Sequence, residues 1–223
     1  VAQAQNTSGN NSATANKKIV GDASLLSNYV WHGLTQTKRQ PAIQSSLYYF
    51  LADTFRVGLW GSNVSYYQNG YGNNSKANAL LKLQADIMLK FTPNFGMDIL
   101  FSDNHYFEPD DRDGNTFTLN FNVFGYSFGL EQEGNWQGSV TKARYYYLKK
   151  TWDVFGSWKW ENKVGYTQFE TLDYKNYFDI SSGIGTKLAG FVFAQLIFTG
   201  TNENTQFGDS ADFFTTLAIT ASF

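Results

Sequence analysis

The sequence predicts an all-β protein, a transmembrane antiparallel up-and-down β-barrel of about twelve strands. Three observations carry that expectation. From Ile19 onward the chain divides into segments of roughly ten residues in which apolar and polar side chains alternate, the period of a strand with two unlike faces. The connectors between these segments are alternately long and short, as in barrels whose turns are tight at one end and extended at the other. Aromatic residues make up 18% of the chain, with 20 Phe, 14 Tyr and 6 Trp, while mean hydropathy is slightly negative. An apolar outer face rimmed by aromatic girdles around a polar interior has this composition.

The segments follow in order: 19–34, 42–51, 55–66, 79–91, 95–107, 116–125, 127–135, 142–152, 154–169, 176–188, 191–201 and 211–223. The fourth is the clearest. Leu81, Leu83, Ala85, Ile87, Leu89 and Phe91 share one face, and Lys82, Gln84, Asp86 and Lys90 the other, with Met88 the exception. In the same way Phe117, Leu119, Phe121 and Val123 oppose Thr118, Asn120 and Asn122; Trp158, Trp160, Val164 and Tyr166 oppose Ser157, Lys159, Glu161 and Lys163. Phe178, Ile180, Ile184 and Leu188 oppose Asp179, Ser181 and Lys187. Tight turns are expected at Ala52-Asp53-Thr54, Thr92-Pro93-Asn94, Gly125-Tyr126, Asp153 and Ala189-Gly190, and long connectors at 35–41, 67–78, 108–115, 136–141, 170–175 and 202–210. An even strand number with tight periplasmic turns puts both termini in the periplasm.

One domain is expected, a barrel over 19–223 behind a flexible periplasmic tail over 1–18, whose polar aperiodic composition suits an exposed segment left after signal cleavage. No apolar run approaches the ~20 residues of a membrane-spanning helix, and a closed barrel is the other structure able to cross a bilayer. Cysteine is absent, which excludes disulfides and thiolate metal sites, and the formal net charge of −2 offers no footprint for nucleic acid. A soluble barrel would show the same alternation with its faces exchanged. The number of segments, the alternation of connector lengths and a last strand that carries Phe213, Leu217, Ile219 and Phe223 on one face favour the membrane.

Ser27-Asn28-Tyr29-Val30-Trp31-His32-Gly33-Leu34-Thr35-Gln36-Thr37, then Pro41-Ala42-Ile43-Gln44 and Gly58-Leu59-Trp60-Gly61-Ser62-Asn63-Val64, resemble the TorF-like porin family of proteobacteria. His32 stands where that family usually has arginine. Beyond about residue 66 the likeness is one of strand rhythm and of the terminal Phe223, which the barrel-assembly machinery reads in outer-membrane proteins generally. The resemblance implies a bacterial outer-membrane barrel of porin type, in contact with outer-membrane lipid and the assembly machinery, and supplies no substrate.

With the apolar faces toward lipid, the expected pore-lining residues are Asp22, Asn28, His32, Lys82, Gln84, Asp86, Lys90, Asp98, Asn120, Glu131, Glu133, Lys159, Glu161, Lys163 and Asp179. Both signs of charge occur. The expected function is passive diffusion of small hydrophilic solutes, without cofactor, metal or covalent chemistry. The alternative is a non-conducting structural or adhesive barrel acting through its extracellular loops, its interior filled by an ion-paired plug. Twelve strands lie between about eight, which leave room for side chains alone, and the 16 to 18 that leave an aqueous channel. An outer-membrane phospholipase would need His32 or His105 beside a serine, and no motif ties Ser24, Ser27 or Ser62 to His32. His105 is read as an interfacial or loop-base residue. Asp110 to Asn115 has the start of a calcium loop but lacks the distal glutamate, so an acidic surface loop is expected there. Gly70, Gly72 and the asparagines around them read as a flexible outer loop, and Tyr145, Tyr146 and Tyr147, with Trp158 and Trp160, as girdle positions.

Overall fold

The computed structural model of the protein describes residues 18–65, 78–107, 112–136, 141–171 and 173–223. The expected tail lies outside the described residues except for Lys18, as do the Gly70–Gly72 loop and Asp110 with Asp111. The chain forms β1 (Ile19–Leu26), a small hairpin of β2 (Val30–Trp31) and β3 (Leu34–Thr35), then β4 (Ala42–Ala52), β5 (Phe55–Asn63), β6 (Ala79–Thr92) and β7 (Phe95–Phe107). There follow β8 (Gly114–Val123), β9 (Tyr126–Glu133), β10 (Ala143–Phe155), β11 (Trp158–Phe169), β12 (Tyr177–Ala189) and β13 (Val192–Thr201). A short helix α1 (Asn204–Phe207) precedes β14 (Phe214–Ser222).

All but β2 and β3 join one closed antiparallel barrel of twelve strands. Closure runs through β1, which pairs with β4 from Ile19↔Tyr49 to Leu26↔Ala42 and with β14 from Asp22↔Ser222 to Leu26↔Ala218. A closed ring leaves no strand edge, so the backbone groups of the wall are satisfied within the sheet. The two-residue period then decides the faces. In β4, Ile43, Leu47, Tyr49 and Leu51 are exposed outside while Ala42, Gln44 and Ser46 are buried inside. The same division in the other strands coats the outside with Leu, Ile, Phe, Val, Tyr and Trp and puts Arg, Lys, Asp, Glu, Ser and Thr in the interior. That is the inverse of a water-soluble barrel and fits a hydrocarbon surround.

Room inside is limited by where glycine stands. A Cβ on Gly129 would fall 2.1 Å from the Tyr147 ring, and one on Gly165 the same distance from the Tyr145 hydroxyl. These two wall glycines therefore admit two inward tyrosine rings. Tyr145 and Tyr147 are buried in the lumen and only Tyr146 faces outward, which corrects the girdle assignment for the first two. Alternation separates them from Tyr146, and the register sets Gly129 and Gly165 on either side of Tyr147, with the Tyr145 ring reaching over Gly165 from two residues along the strand.

The first strand is the main departure from expectation. It ends at Leu26 instead of running to Leu34, and residues 28–37 fold into the barrel. His32 and Gly33 have φ of 47° and 77° between the paired residues Trp31 and Leu34, so they form a tight turn of the kind that requires two left-handed residues. Asn28 Oδ1 accepts hydrogen bonds from the Thr35 hydroxyl at 2.5 Å and the Thr37 hydroxyl at 3.2 Å, closing the base of this loop. Two turns also shift. Phe124 and Gly125, both left-handed, connect Val123 to Tyr126, and Gly156 with Ser157, not Asp153, connects Phe155 to Trp158 after an irregularity between Asp153 and Phe155.

Candidate functional site

The lumen has two unlike halves. Toward the tight turns its inward side chains form a polar, partly open vestibule. Arg56 on β5 donates from Nε and Nη2 to Asp86 Oδ2 on β6 at 2.9 and 2.6 Å, with its guanidinium 4.3 Å from the Tyr48 ring centre. Asp22 accepts from the Ser46 hydroxyl at 2.5 Å, and Gln84 accepts from the Tyr48 hydroxyl at 2.5 Å. Asp98 accepts from Asn120 and Asn122 at 3.3 and 2.9 Å, and Glu161 lies 3.7 Å from the Lys149 ammonium. Lys159 pairs with Asp153 at 2.9 Å near the rim, and Lys90 is exposed near the β6–β7 turn.

Toward the long connectors the lumen is filled. The inward hairpin brings Tyr29, Trp31, His32 and Leu34 into the interior, each less than one-tenth exposed. Its tip is held from several sides. The Tyr177 hydroxyl on β12 donates to the His32 carbonyl at 2.8 Å, and a Cβ on Gly33 would fall 2.8 Å from Asp179 Cβ, so the turn backs directly onto the wall. The imidazole is stacked between Trp31 and Tyr145, with ring centres 4.2 and 3.6 Å away. Its two nitrogens face successive inward carboxylates of β9: Nε2 is 3.6 Å from Glu131 and Nδ1 is 3.4 Å from Glu133.

Positive charge surrounds this centre. Lys163 lies 3.6 Å from Asp179 and 4.9 Å from the Tyr145 ring centre, while the Tyr145 hydroxyl donates to Asp179 at 3.2 Å. Lys82 sits over the Trp31 and Trp60 rings at 5.3 and 5.4 Å. Nine of the fifteen residues expected to line a pore are therefore buried in the interior: Asn28, His32, Lys82, Gln84, Asp86, Glu131, Glu133, Lys163 and Asp179. Asp22, Asp98, Asn120, Lys159 and Glu161 are half-buried in the vestibule. Asn28 and His32 arrive by the hairpin and not by the wall.

Sequence reasoning missed Arg56, Tyr29, Tyr106 and Arg112. The first has a readable signal, since Arg56 falls opposite Asp86 on adjacent strands. Arg112 has none: it follows an acidic run, yet is fully buried with its guanidinium 4.2 Å from the Tyr106 ring centre. Asp113, in the segment compared with a calcium loop, instead accepts from the Tyr106 backbone at 2.6 Å and meets the His105 ring at 2.5 Å. The three serines weighed as partners of His32 bond elsewhere among the described residues: Ser24 to Thr220, Ser27 accepting from Leu217 N, and Ser62 donating to the Asn63 carbonyl.

Residues 10–223 match the sequence profile of the family described as "Bacterial protein of unknown function (Gcw_chp)". No curated protein matches the sequence. Among solved structures, the KdgM porin in complex with disordered oligogalacturonate aligns with a TM-score of 0.57 at 8% identity over 92% of this chain and 98% of its own. An outer membrane channel of Pseudomonas putida F1 aligns at 0.56 and 11% identity over 92% and 95%. The outer membrane protein Omp33 of Acinetobacter baumannii aligns at 0.53 and 9% over 92% and 97%. These likenesses establish the fold, a twelve-stranded barrel of the outer-membrane type.

Proposed function

The chain belongs to that bacterial family of unknown function, and from this premise we propose that it is an outer-membrane channel for small hydrophilic solutes whose described conformation is the shut one. Both termini then lie in the periplasm, with the tight turns, and the long connectors face outward from the cell. The observation that carries the reading is that the centre of the filled half is occupied by a connector, packed against inward wall side chains such as Tyr145 and Tyr147. Twelve strands enclose a polar lumen, and residues 28–37, a connector folded inward from the rim, occupy the middle of its filled half. Removing a connector leaves the barrel ladder untouched. The resemblance of residues 27–64 to the TorF-like porin family supports the same reading, as does the fold shared with channels.

Planar-bilayer recording tests it. Replacing residues 29–38 by a short Gly-Ser turn should give a folded, heat-modifiable barrel with steady conductance where the parent is mostly closed. In that open background Lys82→Gln should move the reversal potential under a salt gradient toward cation preference, because Lys82 is a buried lumen cation. Lys159→Gln should do little, since that ammonium is at the rim beside Asp153. The second reading, a non-conducting barrel, draws on the tight packing of the hairpin, and a folded shortened variant without conductance would establish it.

A further inference from the structure

We propose that His32, Glu131 and Glu133 form a binding site for one first-row divalent transition-metal ion, with Zn²⁺ as the probe, which ties the tip of the inward hairpin to β9. The site goes beyond channel function, because metal binding is measurable whether or not the barrel conducts.

Three facts point to a ligand. One imidazole nitrogen and one oxygen from each glutamate lie within 4.8 Å of one another, and all three side chains are more than nine-tenths buried. His32 Nδ1, Glu131 Oε1 and Glu133 Oε1 have no hydrogen-bond partner, although buried polar atoms ordinarily have one. The nitrogen-to-oxygen separations of 3.6 and 3.4 Å are too long for hydrogen bonds. One ion takes a single ring nitrogen: the Nδ1–Glu133 separation matches the edge of a metal polyhedron, where ligands about 2.0–2.1 Å from a tetrahedral ion stand about 3.4 Å apart, and a rotation of the Glu131 carboxylate, already within 4.8 Å, would complete the set.

The sequence builds the constellation economically. Glu131 and Glu133 are two residues apart on one strand, so the period of the sheet aims both inward. Two buried carboxylates side by side repel each other and require positive charge between them. Lys163 is already engaged by Asp179, and Lys82 lies over two tryptophan rings. The group that reaches between the carboxylates is the His32 ring, fixed by its two stacking partners and by the Tyr177 bond to its own carbonyl. Imidazole with two carboxylates is a donor set for Zn²⁺, Mn²⁺, Co²⁺ or Ni²⁺, whereas Mg²⁺ and Ca²⁺ favour all-oxygen sites. Two negative ligands also balance the charge of a divalent ion.

The test uses the untagged full-length chain, refolded into detergent free of lipopolysaccharide and stripped with chelator. Titration with Zn²⁺ should show one site, elemental analysis one equivalent after desalting, and Mg²⁺ at the same concentration no competition. Glu131→Gln and Glu133→Gln keep the shape of the side chains and remove the charge; each should weaken Zn²⁺ binding by about 100-fold or more. His32→Gln should do the same, and His105→Gln, at the outer end of β7, should leave the site intact. If His32→Gln does not fold, the two glutamine variants decide the matter. Absence of stoichiometric Zn²⁺ binding in the folded parent, or binding unchanged in both glutamine variants, would overturn the proposal and leave an imidazole packed between two aromatic rings.

Discussion

A charge placed on the outer face measures where the bilayer sits, and the register gives two positions with different expected costs. Val164 on β11 has Leu148 and Ile180 as its lateral partners and is 49% exposed on the outer face. On the same face, Trp160 lies four residues nearer the tight turns and Gln168 four residues nearer the long connectors. With a rise of about 3.4 Å per residue and a strand tilt of about 40°, four residues span about 10 Å along the membrane normal. Val164 is therefore close to the midplane of an apolar band about 20–25 Å tall. Leu83 on β6 is equally exposed, but its partner on β7 is Asp103, a carboxylate on the outer face, which marks the polar edge of the band. Val164→Arg should cost about 2–4 kcal/mol and Leu83→Arg about 0–1 kcal/mol, following the depth dependence of arginine in barrel walls. Reversible guanidinium unfolding from lipid vesicles, followed by tryptophan fluorescence, measures both. Equal losses at the two positions, or a larger one at Leu83, would refute the placement of the band.

Three further outcomes follow from the interior and the rim. Asp86→Ala removes the carboxylate that takes two hydrogen bonds from Arg56 and should lower unfolding stability by about 1–3 kcal/mol, against a smaller loss for the half-buried Asn122→Ala; equal losses would mean that the other neighbours of Arg56 or water take the place of Asp86. Tyr177→Phe deletes the bond that holds the hairpin tip and should favour its withdrawal by about 1 kcal/mol, seen as a roughly fivefold rise in brief openings or in proteolysis between residues 29 and 38. Asp212, exposed outside the strands, is held below its ordinary 3.8 by the backbone N–H of Phe213 and then by Arg39. Its contribution is thus present above that ordinary value and disappears as pH falls through the depressed one, so the stability difference between the parent and Asp212→Asn should be flat above about pH 5 and close at lower pH.

The wall was legible because a barrel strand writes its two environments into alternate residues. β6, β7 and β13 begin and end within a residue or so of where the alternation does, and the alternating faces of β8, β11 and β12 fall as read. The hairpin was not legible for the same reason. Asp22, Ser24, Asn28 and His32 share one parity, so alternation carries the strand through to Leu34, although Val30 and Leu34 are apolar on that same face. The local signal against it was Gly33, where a left-handed turn is cheap, followed by Thr35 and Thr37 placed to bond Asn28. His32 was expected in the lumen and is there, but its neighbours were unreadable. Glu131 and Glu133 lie about a hundred residues away, and only closure of the ring together with the inward fold brings them to one ring. Arg112 shows the opposite limit: a charge in an acidic stretch looks solvated until the barrel supplies Tyr106 beneath it.

The composition of the hairpin decides how the channel reading must be tested. Its polar residues, Asn28, Thr35, Gln36 and Thr37, would exchange buried hydrogen bonds for bonds to water at a net cost of about 1 kcal/mol each or less. Tyr29, Trp31 and Leu34 are different, because withdrawing them exposes apolar surface that is now almost wholly covered, at about 1.5–3 kcal/mol apiece. Together these terms put the withdrawn state at least 5 kcal/mol above the shut one. Each 1.4 kcal/mol is a factor of ten, so spontaneous opening would occupy less than about one part in a thousand. Steady conduction by the unmodified protein therefore requires a solute or partner that binds the withdrawn state better, and a quiet bilayer trace from the parent alone does not separate a shut channel from a plug. The shortened variant does, because deleting the hairpin removes those three side chains from the balance while leaving the twelve-stranded ladder closed.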